Sequence, residues 1–545
     1  MVAASMEMQH PLPKSNPGSS TQTHPTENKK VAVIGSGLAG ATTAYYLHNF
    51  IREHQNVDIT IFERESQIGG RIKSVKYRGL TIEVGAPSAS TNDAFFLKAM
   101  KDVGLSPKRL DARWMMQRME TVGVWNGPAL INYEPHEPQC TTWWELLLAV
   151  WKDGEQPWAL RKLSRPSWWN LARLMWRYGL SPWTLDRSSS ANRRSLNKFG
   201  PETPSWKRQP FSGLGSELRN AGLEDGVLDP ADVFFRKLNL SDSFLVEVVG
   251  PLSRARFAQN IEDIRGIAAE VAYEEHYARK VSVQDGNYRL VERLIALSKA
   301  SVKLYSKVKE IRKGVSKQYR LLVESLPHST KPDVSQSWEE FDAVVIASPF
   351  CMNDIRWDGD GTDAPVARNT VSKPVTHVTH FASSRGISPT FLNLSPNMIL
   401  PTHILTTANI SSMPEIFSIS LVGIITYIDT IYCHPRNMED CDTVAHERIY
   451  RIESSEYLDD SILVQMVDGE AGFAFPFVHR QVWRFIAPTF DTLQQSFDEY
   501  ELATHMYYTG GVDDVFPSLE LSCRMGYHTA DRIFVDFERD RWRSR

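Results

Sequence analysis

Residues 31–34 form an unbroken apolar run, VAVI, that ends on Gly35, Gly37 and Gly40. Ala41, Ala44, Tyr45 and Leu47 then recur at helical spacing, and a second apolar run over 59–62 closes on Glu63. The pattern predicts a strand, a tight turn, a helix and a second strand tipped by an acid. Two short alternating segments follow, 73–77 and 80–84, closing on Gly85 and Ala86. Helical spacing dominates from Asp93 to about Lys280, broken at 187–213 by a polar, Pro- and Ser-rich stretch that reads as a loop. Strand character returns over 302–308 and 318–325. The apolar stretch within 341–349 reads as a buried parallel strand re-entering the first sheet. Residues 370–500 alternate and predict a second sheet. Tyr507-Tyr508-Thr509-Gly510-Gly511 then leads into a helical pattern from near Pro517.

The opening pattern carries chemistry. Gly35 permits the turn, Gly37 lets a pyrophosphate approach the backbone, and Gly40 lets the helix pack closely on the strand. The free N–H groups of the helix N-terminus, at Leu38 and Ala39, face the phosphates. Glu63 is placed to accept hydrogen bonds from ribose hydroxyls. Ile68-Gly69-Gly70-Arg71 follows directly, a second glycine pair with a guanidinium beside the phosphates. This extension resembles the FAD enzymes typified by amine oxidases and phytoene desaturases, not NAD dehydrogenases. The resemblance implies FAD as cofactor. The fold class it implies is α/β, a Rossmann-like FAD-binding domain of the GR2 type with an inserted α+β substrate-binding domain. Residues 1–30 read as a disordered lead-in. The FAD-binding pieces are 31–90, 281–360 and 501–545, separated by a largely helical substrate segment at 91–280 and a β-rich one at 361–500.

Composition narrows the class. The chain has 545 residues, 42% hydrophobic and 23% charged, as suits a large globular protein. A net charge of −4 and the lack of any DNA-reading motif give no footprint for nucleic acid. Five scattered cysteines, Cys140, Cys351, Cys433, Cys441 and Cys523, argue against a disulfide framework or a zinc site, and no metal is expected. Cys523 reads as a buried free thiol. The polar N-terminus lacks the apolar core of a signal peptide, so a cytoplasmic location is expected, or a lysosomal or vacuolar one if the true start lies elsewhere. No stretch is long enough to span a bilayer; the best, 417–428, reads as a buried strand. Residues 143–151, WWELLLAVW, fit either ordinary helix core or a face that rests on a membrane surface or lines a lipid-sized cleft.

A further set of pieces, in order, resembles the prenylcysteine oxidase (prenylcysteine lyase) family. They include Trp176-Arg177-Tyr178-Gly179, Gly250-Pro251-Leu252-Ser253-Arg254 with Phe257 and Gln259-Asn260, and Gly286-Asn287 before a helix. Later come Thr376-His377-Val378-Thr379, Ile387-Ser388-Pro389-Thr390-Phe391, Val482-Trp483, Ala487-Pro488-Thr489-Phe490, the Tyr507–Asp513 run and Ser518-Leu519-Glu520-Leu521-Ser522. The resemblance implies oxidation of a prenyl thioether: hydride passes to the flavin, water adds, and an aldehyde and free cysteine leave. O₂ then takes the electrons and gives hydrogen peroxide. The substrate implied is apolar and prenylated. A tailoring oxidase of specialised metabolism on the same scaffold is the alternative.

The same resemblance adds Arg64, Val308, Gly510, Gly511 and Asp513 to the cofactor residues and places Gly85 and Ala86 near the flavin ring. No residue is assigned to catalysis. Arg254 and Gln259 are cavity candidates, with a buried salt bridge or a helix cap as the rival reading. Glu520 reads equally as a helix cap, and His377 as a sheet histidine. Three departures from the family pattern stand out: no signal peptide, Pro87 after Gly85-Ala86, and an added arginine at Arg256, expected to change the pocket's charge.

Overall fold

The computed structural model describes residues 28–51, 56–109, 122–131, 175–197, 218–314, 318–327, 333–349, 354–358, 375–408, 415–428, 444–470, 472–484, 500–509 and 515–543. The opening apolar run lies in the strand Lys29–Ile34, buried from Val31 onward. A run buried on both faces belongs to a parallel sheet covered by helices. It pairs in parallel with Val57–Phe62 on one side and Ala343–Ile346 on the other. Ser301–Lys303 and Met506–Tyr508 extend the sheet in the same sense, and Glu501–Ala503 adds an antiparallel edge. Three segments distant in sequence therefore build one six-stranded sheet.

The helix Leu38–Ile51 is apolar on nearly every side because it is covered on nearly every side. It packs against the sheet, the helix Tyr288–Ser298 and the terminal helix Leu519–Arg543. A Cβ on Gly40 would stand 2.1 Å from the carbonyl oxygen of Gly35, so only glycine allows this approach.

A second sheet has seven strands in the order Phe477–Arg484, Val375–Ser383, Val444–Ser454, Ile416–Ile428, His403–Thr406, Val122–Trp125, Leu130–Ile131. Its last two strands come from the stretch expected to be helical, and Val122–Trp125 lies parallel to His403–Thr406. Pairing with a distant strand overrides the local pattern there. A four-stranded sheet, Ser335–Phe341, Tyr319–Ser325, Ser306–Lys313 and Arg356–Asp358, packs on the first through Val308, Ile311 and Tyr319 against Ile34 and Phe62.

Two local expectations are corrected. The strand read over 302–308 is two strands, because the chain turns at 304–305 with Tyr305 at φ +53°. Residues 187–197, read as loop, form the second half of the helix Ser181–Asn197, which buries Leu185, Asp186 and Ser189. The rest of that stretch, the lead-in through residue 27 and the aromatic run 143–151 lie outside the described residues. Among the described residues no helix is long and apolar enough to cross a membrane.

Candidate active site

The first strand ends on Gly35, whose φ of +108° turns the chain sharply into the helix. Nothing lies within 4 Å of where a Cβ on Gly37 would be, so space opens in front of that backbone. The helix starts at Leu38, and the N–H groups of its first turn have no acceptor within the helix. Glu63, 7% exposed, ends the next strand beside them. Its Oε2 accepts from Ser36 N at 3.0 Å and from Ser36 Oγ at 2.5 Å, while Oε1 accepts from Glu65 N at 3.0 Å. The second glycine pair packs against the first: Gly69 N donates to Ser36 O at 3.1 Å, and Gly37 bridges to Gly69. A narrow cleft results, lined by backbone, with a buried carboxylate at one end. Such a cleft suits a diphosphate and its ribose.

Beyond it, residues 83–87 form a turn over the backbone of Arg71, whose carbonyl accepts from Ala86 N at 3.3 Å. A Cβ on Gly85 would stand 2.0 Å from that same carbonyl oxygen. Asn287, fully buried, donates from Nδ2 to the carbonyls of Ala86 and Pro87. Arg451 and Trp483 of the seven-stranded sheet reach the same turn. Burial pushes the Glu83 carboxyl up to about 6, against the opposing pull of the Asn287 N–H, the Ser74 hydroxyl and the Arg451 charge. His380, paired across strands with Arg451 on one side and His479 on the other, is fully buried, and burial with the Arg451 charge holds its pKa well under the ordinary value.

The other residues singled out in the sequence fall as follows. Gly70 and Arg71 border the glycine cleft, and Arg64 is exposed, its Nε 3.3 Å from Glu65. Val308 is buried in the small sheet, close to Glu63 because Ser306 N donates to the Glu63 carbonyl at 2.8 Å. Gly510, Gly511 and Asp513 lie outside the described residues. Arg254 is 2% exposed and ties its helix to the second sheet: Nη1 donates to Asn260 at 2.6 Å and Nη2 to Glu415 at 2.7 Å. That is an ion pair, as in the rival reading, but only its arginine is buried, since the Glu415 side chain is 37% exposed. Gln259 is likewise buried, one turn of chain away. Arg256 does not add free charge, since it donates to Glu275 at 2.6 Å and to the Pro517 carbonyl at 3.1 Å. His377 sits in a strand opposite Ser454 and Val482. Cys523 is a buried free thiol whose pKa burial raises well above the ordinary value.

A cavity of about 60 Å³ lies between the helices Ser181–Asn197, Gly266–Tyr277 and Leu519–Arg543. Asp93, Glu270, Glu274 and Glu520 face it together with Arg193 and Arg524. Burial and the charge of Glu520 raise Asp93 to about 7, and burial raises Glu270 to about 7 despite bonds from Ser188 and Asn192. Sequence reading missed Glu83, Glu270 and Arg451. None stands in a motif, and each acquires its surroundings only from tertiary register.

Fold and cleft define a Rossmann-like flavoprotein. The sequence pattern of the family described as prenylcysteine lyase matches residues 162–543, and that of an NAD(P)-binding Rossmann-like domain matches 33–99. Prenylcysteine oxidase 1 of Bos taurus is 22% identical over 94% of this chain and 89% of its own length. Its namesake in Rattus norvegicus is 22% identical over 59% of this chain and 56% of its own. In structure, cyclohexylamine oxidase from Brevibacterium oxydans superposes with a TM-score of 0.53 at 12% identity, covering 94% of this chain and 100% of that one. A fatty acid isomerase from P. acnes superposes with a TM-score of 0.55 at 12% identity, covering 93% and 99%. The chain belongs to the prenylcysteine lyase family. It is a flavin-dependent oxidoreductase.

Proposed function

We propose that the chain is an FAD-dependent oxidase of a prenylated thioether. The observation that carries this reading is the coincidence of the family match over 162–543 with an intact glycine cleft ending on a buried Glu63. The backbone of Gly35, Gly37, Leu38, Ala39 and Gly40, with Gly70 and Arg71, would hold the diphosphate. Glu63 would exchange its Ser36 hydroxyl for the ribose hydroxyls. Arg64 and Val308 would border the adenosine, the Gly85–Ala86 turn would lie against the ring, and Gly510, Gly511 and Asp513 would close the site.

FAD, when bound, supplies the hydride acceptor and the route by which two electrons reach O₂. The protein's task is then to orient the carbon next to sulfur and to keep competing nucleophiles out. That carbon loses a hydride, sulfur and the allylic bond share the positive charge, and water adds. The hemithioacetal breaks its C–S bond to give a prenyl aldehyde and a thiol, while O₂ leaves as hydrogen peroxide. No nucleophilic side chain and no metal is needed. The test is product analysis in air with farnesylcysteine. The reading expects one peroxide and one farnesal for each free cysteine; an aldehyde-free turnover, or turnover of other prenylated compounds alone, would point to specialised metabolism.

A further inference from the structure

The turn at 83–87 is held by an unusual set of donors. Arg451 Nη1 donates to the carbonyls of Glu83 at 3.3 Å and Gly85 at 3.2 Å. Trp483 Nε1 donates to Val84 O at 3.0 Å. Asn287 Nδ2 donates to Ala86 O at 3.0 Å and Pro87 O at 3.1 Å. Five consecutive carbonyls are thus satisfied by three side chains. On the opposite side, Val84 N and Gly85 N donate to Lys73 O at 2.9 and 3.2 Å, and Ala86 N to Arg71 O. An irregular turn usually leaves such groups to water. Here both edges of the backbone are fixed by protein.

Two of the three clamping residues, Arg451 and Trp483, come from the seven-stranded sheet. Arg451 is itself fixed, with Nε at 3.0 Å and Nη2 at 2.7 Å from Glu453 Oε1, and its side chain is 13% exposed. A charge this buried is held in one place by its partner.

We propose that Arg451, assisted by Trp483, is a positioning residue. Through it the second sheet fixes the backbone of residues 83–87 and so sets how tightly, and at what potential, the flavin ring is held there. The proposal rests on the FAD reading above. It also explains why Gly85-Ala86, Gly286-Asn287 and Val482-Trp483, far apart in sequence, meet at one turn. Support around a site, more than the site's own groups, often decides whether geometry is held to the required fraction of an ångström.

The test uses Arg451→Lys, which keeps the charge beside Glu453 but loses the fork, and Trp483→Phe, which keeps the ring and loses the donor. Hydrogen exchange of residues 84–86, FAD dissociation and the flavin's reduction potential are read for each holoenzyme. In both variants the exchange of these amides should speed up, FAD affinity should fall about tenfold per lost donor, and the potential should shift. If either variant melts early yet keeps wild-type exchange, affinity and potential, Arg451 is only structural and the proposal is overturned. Should Arg451→Lys fail to fold, Trp483→Phe decides by the same three readouts. Wild-type protein that takes up no FAD overturns the cofactor reading itself, a result distinct from variants that match a flavin-loaded wild type.

Discussion

Glu520 caps a helix that is not its own: its Oε2 accepts hydrogen bonds from the backbone N–H groups of Phe95 and Phe96, both at 2.9 Å. The helix is Ala94–Asp102, and Asp93, the residue placed to cap it, instead accepts from Ser90 N at 2.8 Å. The terminal helix thereby ties the start of a distant element to the cofactor side of the molecule. Glu520→Ala should cost about 0.5–2 kcal/mol, the range for removing a cap, read as a lower melting temperature. Glu520→Gln keeps an acceptor oxygen and should lose less. Equal melting of Glu520→Ala and wild type would show that the cap contributes nothing.

Glu63 is predicted to be worth about 1–3 kcal/mol to FAD binding, the scale of hydrogen bonds to a charged group. Fluorescence titration of Glu63→Ala with FAD measures it. Unchanged affinity would mean that Glu63 serves only to hold Ser36. Replacing Gly37 by Leu should leave the protein colourless, because the side chain would fill the open space before the backbone.

Gly526 was not legible as a functional position, yet a Cβ there would stand 2.6 Å from the Ala39 carbonyl oxygen and 2.7 Å from Thr42 Cβ. It lets the terminal helix lie directly on the helix that follows the glycine turn. Gly526→Val should destabilise the fold by about 1–3 kcal/mol or more, as overpacking does, and weaken flavin retention with it. A variant that melts like wild type would show the two helices free to separate.

The buried acids give a pH dependence. Asp93 and Glu270 each titrate at about 7 in the folded protein, above the unfolded carboxyl range. Between those values the folded state binds more protons, so this contribution is full below about pH 4. It is lost as pH rises through about 7. Between pH 8 and 6, wild type should therefore gain thermal stability relative to Glu270→Gln, whose amide does not titrate. Parallel curves for the two proteins would remove Glu270 from the account.

Much of the cleft was readable because its signals are local. A buried parallel strand is a short apolar run, a sharp turn needs glycine, and an acid follows at the next strand's end. What failed was set by distant contacts. Residues 187–197 look like a loop because Ser188 and Asn192 are polar, but those side chains donate to the buried Glu270 at 2.6 Å each. The turn at 304–305 carries no glycine, and Tyr305 adopts a positive φ under tertiary constraint. Arg451 sits in an ordinary alternating strand, and only its register opposite His380 and Ser420 brings its fork to the Gly85 turn. For Arg254 the motif marked an important residue but not its role, because a buried guanidinium between two elements and one lining a cavity look alike in sequence.

The most direct measurement is reduction of the bound flavin by farnesylcysteine without oxygen, followed at the oxidised band near ~450 nm that bound FAD confers. The account predicts rapid bleaching, with peroxide and farnesal appearing when air is readmitted. A yellow protein whose band farnesylcysteine leaves unchanged would contradict the proposed substrate.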